Sequence, residues 1–478
     1  MTWTGKDVGL HDVAFELQKR HEIVYWCGIS LDTEVDSTQF PRTVFHDFFD
    51  ALAGKPATGV DISNFQPPGE DLIKEFQETE LTVLTMMNKK YQKVLLEERK
   101  HLYYRLLGYW YGVLLALKPD AIIYDFTPHS VYDFVVYDIA KKMGIKTIIF
   151  QPVLLSNTLQ IVMNDYKKGS AGLIDQMKRN AHCQFSISDI SPDIRAHYQK
   201  NSGMNGDVPP LYVQQIFTRY SGVRLFFVKL RSLWTSLTVH KDLSVLVTVL
   251  MYLPRRFKNN LKKEYHRVQS KVDFGKKFVY VALQYQPEAQ ACPQAGVFAD
   301  QLLLIEILSS ALPDGWLVYV KEHPVLWLLH GLKFYDFRFR GYYETIAKIK
   351  NVKLIPVDTD SFQLIRHSQA VATGAGSVGW EAILRSKPVL VFGYPWYQQC
   401  EGAFKIADSD TCKEALSRIE NGFKVSQQRV INFLACLSKV CTETYFEAYA
   451  KGISKIGREQ NIRNLVQAIE TELQGAEL

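Results

Sequence analysis

Five short apolar runs, Phe278–Leu283, Trp316–Val320, Val352–Ile355, Ala370–Thr373 and Pro388–Phe392, recur along the second half of this chain, and the stretches between them fit helices. The helices read as Asp300–Leu312, Tyr342–Ile349, Phe362–His367 and Ser377–Ser386. Strand, helix and strand in alternation make βαβ units and a parallel sheet. An open sheet of this kind binds its ligands beyond the carboxyl ends of its strands, so functional residues are expected there. The first half carries a shorter version of the pattern: a strand within His21–Ser30 ending near Gly28, helical character over Thr82–Leu117, a strand at Ala121–Tyr124, a helix at Ser130–Met143 and a strand at Lys146–Phe150. The final helices, Gln427–Cys441 and Asn461–Leu473, have no strand partners and are expected to pack back across the domains. The expected fold is α/β, two Rossmann-like doubly wound domains (1–220 and 278–425) facing a cleft, with a helical basic insertion (221–277) between them and terminal helices (426–478).

Length and composition agree with that reading. A chain of 478 residues suits two large domains, and 47% apolar with 22% charged residues excludes a disordered or fibrous chain. The net charge of +6 is unevenly placed. Ser221–Lys277 holds 13 Lys and Arg against three acids, so this segment is +10 and the remainder −4. A generally basic, nucleic-acid-coating surface is therefore disfavoured. Within the segment, the uncharged run Leu243–Leu253 follows an aromatic-rich piece (Leu225, Phe226, Phe227, Leu230, Leu233, Trp234) and precedes Arg255, Arg256, Lys258, Lys262 and Lys263. This run is shorter than the roughly 20 residues a bilayer needs. Apolar and aromatic residues beside cations suit an interfacial helix on an anionic membrane; a helix buried between domains is the alternative. The seven cysteines form no CxxC pair, which points to reduced thiols. Met1–Arg20 has no apolar h-region, so a cytoplasmic protein, peripheral on the inner face of the cytoplasmic membrane, is expected.

Two strand ends carry the strongest functional signal. The run Trp316–Val320 leads into Lys321-Glu322-His323-Pro324, where an imidazole can donate to a phosphate or sugar oxygen. The run Ala370–Thr373 leads into Gly374-Ala375-Gly376-Ser377 and a helix containing Glu381. Glycines there let backbone N–H groups approach an anion at a helix start, Ser377 adds a hydroxyl, and Glu381 can accept from ribose hydroxyls. A third strand end, Asp125-Phe126-Thr127-Pro128-His129-Ser130, offers Asp125 and His129 on an acceptor side, although Asp125 and Thr127 also suit simple helix capping. Tyr285, Tyr394, Trp396 and Tyr397 suit either stacking on a sugar or base, or packing.

Val320-Lys321-Glu322-His323-Pro324, Thr373-Gly374-Ala375-Gly376-Ser377 with Glu381-Ala382, and Lys387-Pro388-Val389-Leu390-Val391-Phe392-Gly393 resemble the capsule polysaccharide biosynthesis family of glycosyltransferases, as does Leu283-Gln284-Tyr285-Gln286-Pro287-Glu288 followed by Asp300-Gln301. That family is similar to bacterial Kdo transferases and GT-B sialyltransferases. The resemblance spans about Phe278 to Gly402 and implies a GT-B-like fold, a CMP-activated ulosonic acid donor, a lipid-linked or glycan acceptor, and no metal or other cofactor. By position, His323 and Pro324 match the element that holds CMP, and Gly376 and Ser377 match the helix start beside it. Lys321, Glu322, Thr373, Gly374 and Glu381 complete the implied donor site. Kdo transferases place an aspartate just after the glutamine-rich strand end, where this chain has Ala289 and Gln290, so Glu288 is the nearest carboxylate. Glycosyl transfer needs a stabilised leaving phosphate and a deprotonated acceptor. The catalytic candidates are accordingly Glu288, His323, Asp125 and His129. Two other readings stay open: a UDP-N-acetylglucosamine 2-epimerase, although Gly393-Tyr394-Pro395-Trp396-Tyr397-Gln398-Gln399 lacks that group's charged cluster, and a non-catalytic factor working with capsule assembly proteins.

Overall fold

The computed structural model describes residues 1–3, 5–28, 35–88, 91, 94–153, 158–202, 227, 230–231, 233–235, 237–238, 250, 260–286, 288–329 and 338–475. In the N-terminal unit, β1 (Tyr25–Gly28) pairs in parallel with β2 (Val44–Asp47), and β3 (Ala121–Tyr124) in parallel with β4 (Lys146–Pro152). Thr2 bridges Cys27 and Tyr124, joining the two ladders into one layer. The expected parallel pattern fails at the other edge, where β5 (Leu159–Met163) runs antiparallel to β4. The strand expected over Lys146–Phe150 runs on to Pro152, and Gln151 and Pro152 pair with β5. The helical stretch before β3 forms two helices, Gln77–Met87 and Leu96–Leu117, with Phe76, Val83, Met87, Tyr103, Leu107 and Trp110 buried.

The C-terminal unit is a six-stranded, wholly parallel sheet of β6 (Phe278–Ala282), β7 (Leu317–Lys321), β8 (Val352–Leu354), β9 (Ala370–Thr373), β10 (Val389–Val391) and β11 (Ala403–Lys405). Its spatial order is β11-β10-β9-β6-β7-β8. Read from the first strand, the chain adds β7 and β8 on one side of β6, then returns to add β9, β10 and β11 on the other. This is the Rossmann order, and its switch point lies between β6 and β9. Both faces are covered, which explains the continuous apolar runs. Phe278, Tyr280, Tyr319, Val371 and Val389 pack on one side, while Val279, Val281, Val318, Ala372 and Leu390 pack on the other. The register sets Ala282 opposite Lys321 and Val281 opposite Ala372, so the ends of β6, β7 and β9 lie nearly level.

Of the basic segment, residues 243–249 and 251–253, with Arg255, Arg256 and Lys258, lie outside the described residues. Its last part is part of the C-terminal unit: in helix Leu261–Val268, Leu261 and Tyr265 are wholly buried in that core, so the unit starts near Asn260 and not at Phe278. Among the described residues, no helix is long and apolar enough to cross a membrane. All seven cysteines are free.

After the second sheet the chain returns to the first. β12 (Thr442–Glu443) pairs antiparallel with β5, and helix Arg458–Gln474 lies on helix Leu10–Leu17. The final helices pack back as expected, and the segment between them adds a two-residue strand too short to show as a sequence pattern. Asn461, wholly buried, holds the crossing: its Nδ2 donates to the carbonyls of Val8 and Tyr445, both at 3.0 Å, and its Oδ1 accepts from Thr444 Oγ1 at 2.7 Å and Tyr445 N–H at 2.8 Å. The GT-B-like architecture is thus two α/β units tied together at both ends of the chain. Asn461→Ala strands several buried polar groups, each costing about 1–3 kcal/mol. Urea unfolding should show a loss of about 3 kcal/mol, with the N-terminal unit melting first.

Candidate active site

At the end of β7 three consecutive residues take three different roles. Lys321 is buried, donating from Nζ to the Thr359 carbonyl at 2.8 Å and to Ser361 Oγ at the start of helix Ser361–His367. Burial pulls its pKa down to about 8, opposed by Asp360, Glu381 and Asp358. Glu322 is fully buried and accepts from Arg338 Nε at 3.0 Å, Arg338 Nη2 at 3.2 Å, Tyr343 Oη at 2.6 Å and the His323 N–H at 2.7 Å. The side chains of Lys321 and Glu322, both expected at the donor site, are engaged with partners inside the protein, and these hold the strand end. Arg338 also donates to the Gln284 carbonyl and to Gln286 Oε1, both at 3.1 Å, tying the β6 end to the β7 end.

His323 is the one of the three whose side chain is partly exposed. Pro324 fits there because it opens helix Pro324–Leu329, where no N–H is needed. The His323 Nδ1 accepts from the Val325 N–H at 3.3 Å, and burial drives the ring's pKa down to about 4. A neutral imidazole whose Nδ1 accepts carries its proton on Nε2, so His323 offers one N–H donor at neutral pH. Tyr285 packs on its ring at 5.7 Å between centroids.

Across the switch point, the β9 end turns through Gly374 and Gly376. A Cβ on Gly374 would lie 2.5 Å from Gln284 Oε1 and 2.9 Å from Ala295 Cβ. A Cβ on Gly393 would lie 2.4 Å from the Gln294 carbonyl oxygen. Gly374 thus leaves room for neighbouring side chains, and Gly393 lets backbone approach backbone. Thr373 Oγ1 accepts from the Gly376 N–H at 3.1 Å, and Tyr397 Oη donates to the Gly376 carbonyl at 2.6 Å. Helix Ser377–Leu384 then starts at Ser377 with no side-chain cap, so no side chain among the described residues takes up its first N–H groups. Glu381 sits one turn along, partly buried, within electrostatic reach of Lys321. Both polar side-chain atoms of Gln284, which is buried beside Gly374, lack a hydrogen-bond partner among the described residues.

The facing N-terminal unit presents the β3 end. Asp125 is partly buried there, and its pKa is raised to about 7 by desolvation and then by the charges of Asp133 and Glu447. Neither Asp125 nor Thr127 caps the next helix. That helix begins at Tyr132, and Asp133 accepts from the Ser130 N–H at 2.7 Å and the His129 N–H at 3.2 Å. His129 donates from Nδ1 to the Thr127 carbonyl at 2.9 Å, and Val131 is held at φ 73°, a conformation a β-branched residue rarely adopts. The cleft's carboxylates come from three chain regions, since Glu447 interacts both with Asp125 and with the exposed Glu288. Desolvation and then Glu288 raise the Glu447 pKa.

The structure thus brings His323, the Gly374–Ser377 turn, Asp125, His129 and Glu288 to facing strand ends. Tyr394, Trp396 and Tyr397 are packing residues: Tyr394 lies 6.0 Å from Tyr166, and Trp396 and Tyr397 pack on Trp380. Sequence reading missed Arg338, Asp133 and Glu447. Glu447 had no signal, because it follows the two-residue β12; Arg338 was findable only as the cation that a buried Glu322 demands.

Residues 241–403 match the family model described as capsule polysaccharide biosynthesis protein. The match is to one region of the chain. It covers about a third of the chain and includes both strand-end motifs. Among solved structures, the chain is similar to KpsC of Thermosulfurimonas dismutans, a beta Kdo 2,7 transferase, at 12% identity over 74% of this chain and 88% of that one, with a TM-score of 0.30. It is similar to the UDP-GlcNAc 2-epimerase of Methanocaldococcus jannaschii at 11% identity, over 67% and 75% of the two chains, with a TM-score of 0.26. A third likeness is to the alpha,alpha-trehalose 6-phosphate synthase of Burkholderia multivorans, at 11% identity over 99% and 93%, with a TM-score of 0.30. At such values none of them says what this chain acts on. No curated protein matches.

Removing Arg338 while keeping its volume, as in Arg338→Met, leaves Glu322 buried without its counter-charge. The expected loss is about 3–5 kcal/mol in denaturant unfolding, larger than for Glu322 and Arg338 replaced together by apolar residues.

Proposed function

We propose that this chain is a glycosyltransferase of surface polysaccharide biosynthesis, moving an ulosonic acid such as Kdo from a CMP donor to a lipid-linked or glycan acceptor. The observation that carries this reading is the pairing, across the Rossmann switch point, of a neutral His323 donating from Nε2 with the uncapped helix start at Ser377. Both are suited to hold the nucleotide phosphate and to stabilise the charge it gains as the glycosidic bond breaks. The acceptor hydroxyl is deprotonated from the opposite wall, where Asp125 is the carboxylate nearest to a base's working range.

Thermal-shift measurements with CMP, UDP, GDP and TDP test the donor: CMP alone should raise the melting temperature. His323→Ala and Ser377→Ala should each weaken that shift and lower turnover by about 10–100-fold. Stabilisation by UDP alone would replace the CMP reading by another nucleotide-sugar chemistry, and unchanged function in both variants would support a scaffold instead.

Asp125 as base sets a pH profile. Its carboxyl is held up to about 7, so the active ionised form grows as pH rises from about 6 to about 8, and the rate should climb over that range. Asp125→Asn should remove this limb and lower turnover at least about 100-fold. A limb that survives the substitution assigns the base to Glu447 or Glu288.

The acceptor would be met at a membrane. Phe227, Trp234 and Leu250 are more than 60% exposed, large apolar side chains in the stretch that carries the +10 charge. Anionic liposomes should float the protein, and neutralising Arg255, Arg256, Lys258, Lys262 and Lys263 should abolish flotation without changing nucleotide binding.

A further inference from the structure

A closed set of buried hydrogen bonds crosses the seam between the two units. Gln294, on the loop after β6, donates from Nε2 to Thr127 Oγ1 at 3.2 Å and to Gln151 Oε1 at 2.8 Å, while Thr127 Oγ1 donates to the same Gln151 oxygen at 2.8 Å. All three side chains are at least 96% buried. Their other ends reach the two halves of the cleft. The Gln294 carbonyl accepts from the Tyr394 N–H at 2.8 Å, and the neighbouring Gly393 N–H donates to the Gly374 carbonyl at 2.8 Å. The Thr127 carbonyl accepts from His129 Nδ1. Gly393 cannot carry a side chain because the Gln294 carbonyl occupies its place. Hydrogen bonds and close contacts therefore run without a break from the glycine turn after β9 to His129.

We propose that Gln294 is a positioning residue that locks the glycine turn of one unit to the Asp125–Ser130 turn of the other, so that the two walls of the cleft move as one. A polar triad sealed from water is suited to this, because any relative slide of the units breaks buried hydrogen bonds that no solvent replaces. Only the assignment of the glycine turn to the nucleotide rests on the glycosyltransferase reading; the mechanical link does not.

Amide hydrogen exchange on the ligand-free protein tests the link. Thr127→Val keeps the shape and removes the hydroxyl, whereas Thr127→Ser keeps the hydroxyl. In Thr127→Val, the amides of Gly393 and Tyr394, in the opposite unit, should exchange about tenfold faster, the equivalent of one lost buried hydrogen bond, with β6 and β7 amides unchanged. Thr127→Ser should restore the wild-type rates, and Gln294→Leu should in turn speed the His129 and Ser130 amides. A change confined to the mutated unit, a rise spread equally over both sheets, or equal effects of Val and Ser would overturn the proposal. In the activity arm, both disruptive variants should keep nucleotide affinity within about twofold while turnover falls about tenfold, the size of one buried hydrogen bond. A wild type that binds no nucleotide would defeat the donor reading and leave the exchange result to decide the link by itself.

Discussion

A carboxylate with no exposed surface must find its counter-charge and its hydrogen bonds inside the protein, and Glu322 finds them on Arg338, Tyr343 and the His323 backbone. Much of the candidate site depends on that requirement. Arg338 reaches from Glu322 to the Gln284 carbonyl and Gln286, so the loop after β6 is held to the end of β7. The bond from the His323 N–H to Glu322 orients the strand end that presents the imidazole. Tyr265 adds a further tie, donating to the Ile355 carbonyl and accepting from the Glu322 N–H, so the helix before the sheet is fixed to the same point. Desolvating this ion pair opposes folding, and what it yields is a strand end with one geometry rather than bulk stability.

The same logic of internal satisfaction explains why the two units form one molecule. Thr127, Gln151 and Gln294 complete one another across the seam, Gln398 and Gln399 donate to the Lys167 and Lys168 carbonyls, and Asn461 closes the return of the C-terminus. Glutamine and asparagine suit these places because an amide both donates and accepts without bringing a charge into the interior. Gln284 differs in that neither of its side-chain amide atoms has a partner among the described residues.

Much of the second unit was legible in the sequence because a parallel strand covered on both faces is uninterruptedly apolar. The Ala370–Thr373 strand and the helix starting at Ser377 fall where the pattern puts them. β11 went unseen because Ala403–Lys405 is a short edge strand with an exposed lysine. β5 and β12 went unseen because antiparallel edge pairing leaves no βαβ spacing to detect. In the site, the motif residues were correctly located, but their directions were not readable. Lys321 and Glu322 have the chemistry of ligand-binding residues, yet both are tied up by partners within the protein.

The sequence by itself determined that the second half would be a doubly wound sheet, that its glycine-rich and histidine-bearing turns would follow the strands ending near Lys321 and Thr373, and that the positive charge would be concentrated in one stretch. These follow from local pattern, since burial on two faces, glycine at a close turn and charge density are each written in neighbouring residues. Only the tertiary structure decided that Asp133, and not Asp125, holds the His129–Ser130 turn, and that Glu447, over 300 residues further along the chain, comes within electrostatic reach of Asp125. Those outcomes depend on which buried polar group is satisfied by which distant partner, and no local stretch of sequence encodes that pairing.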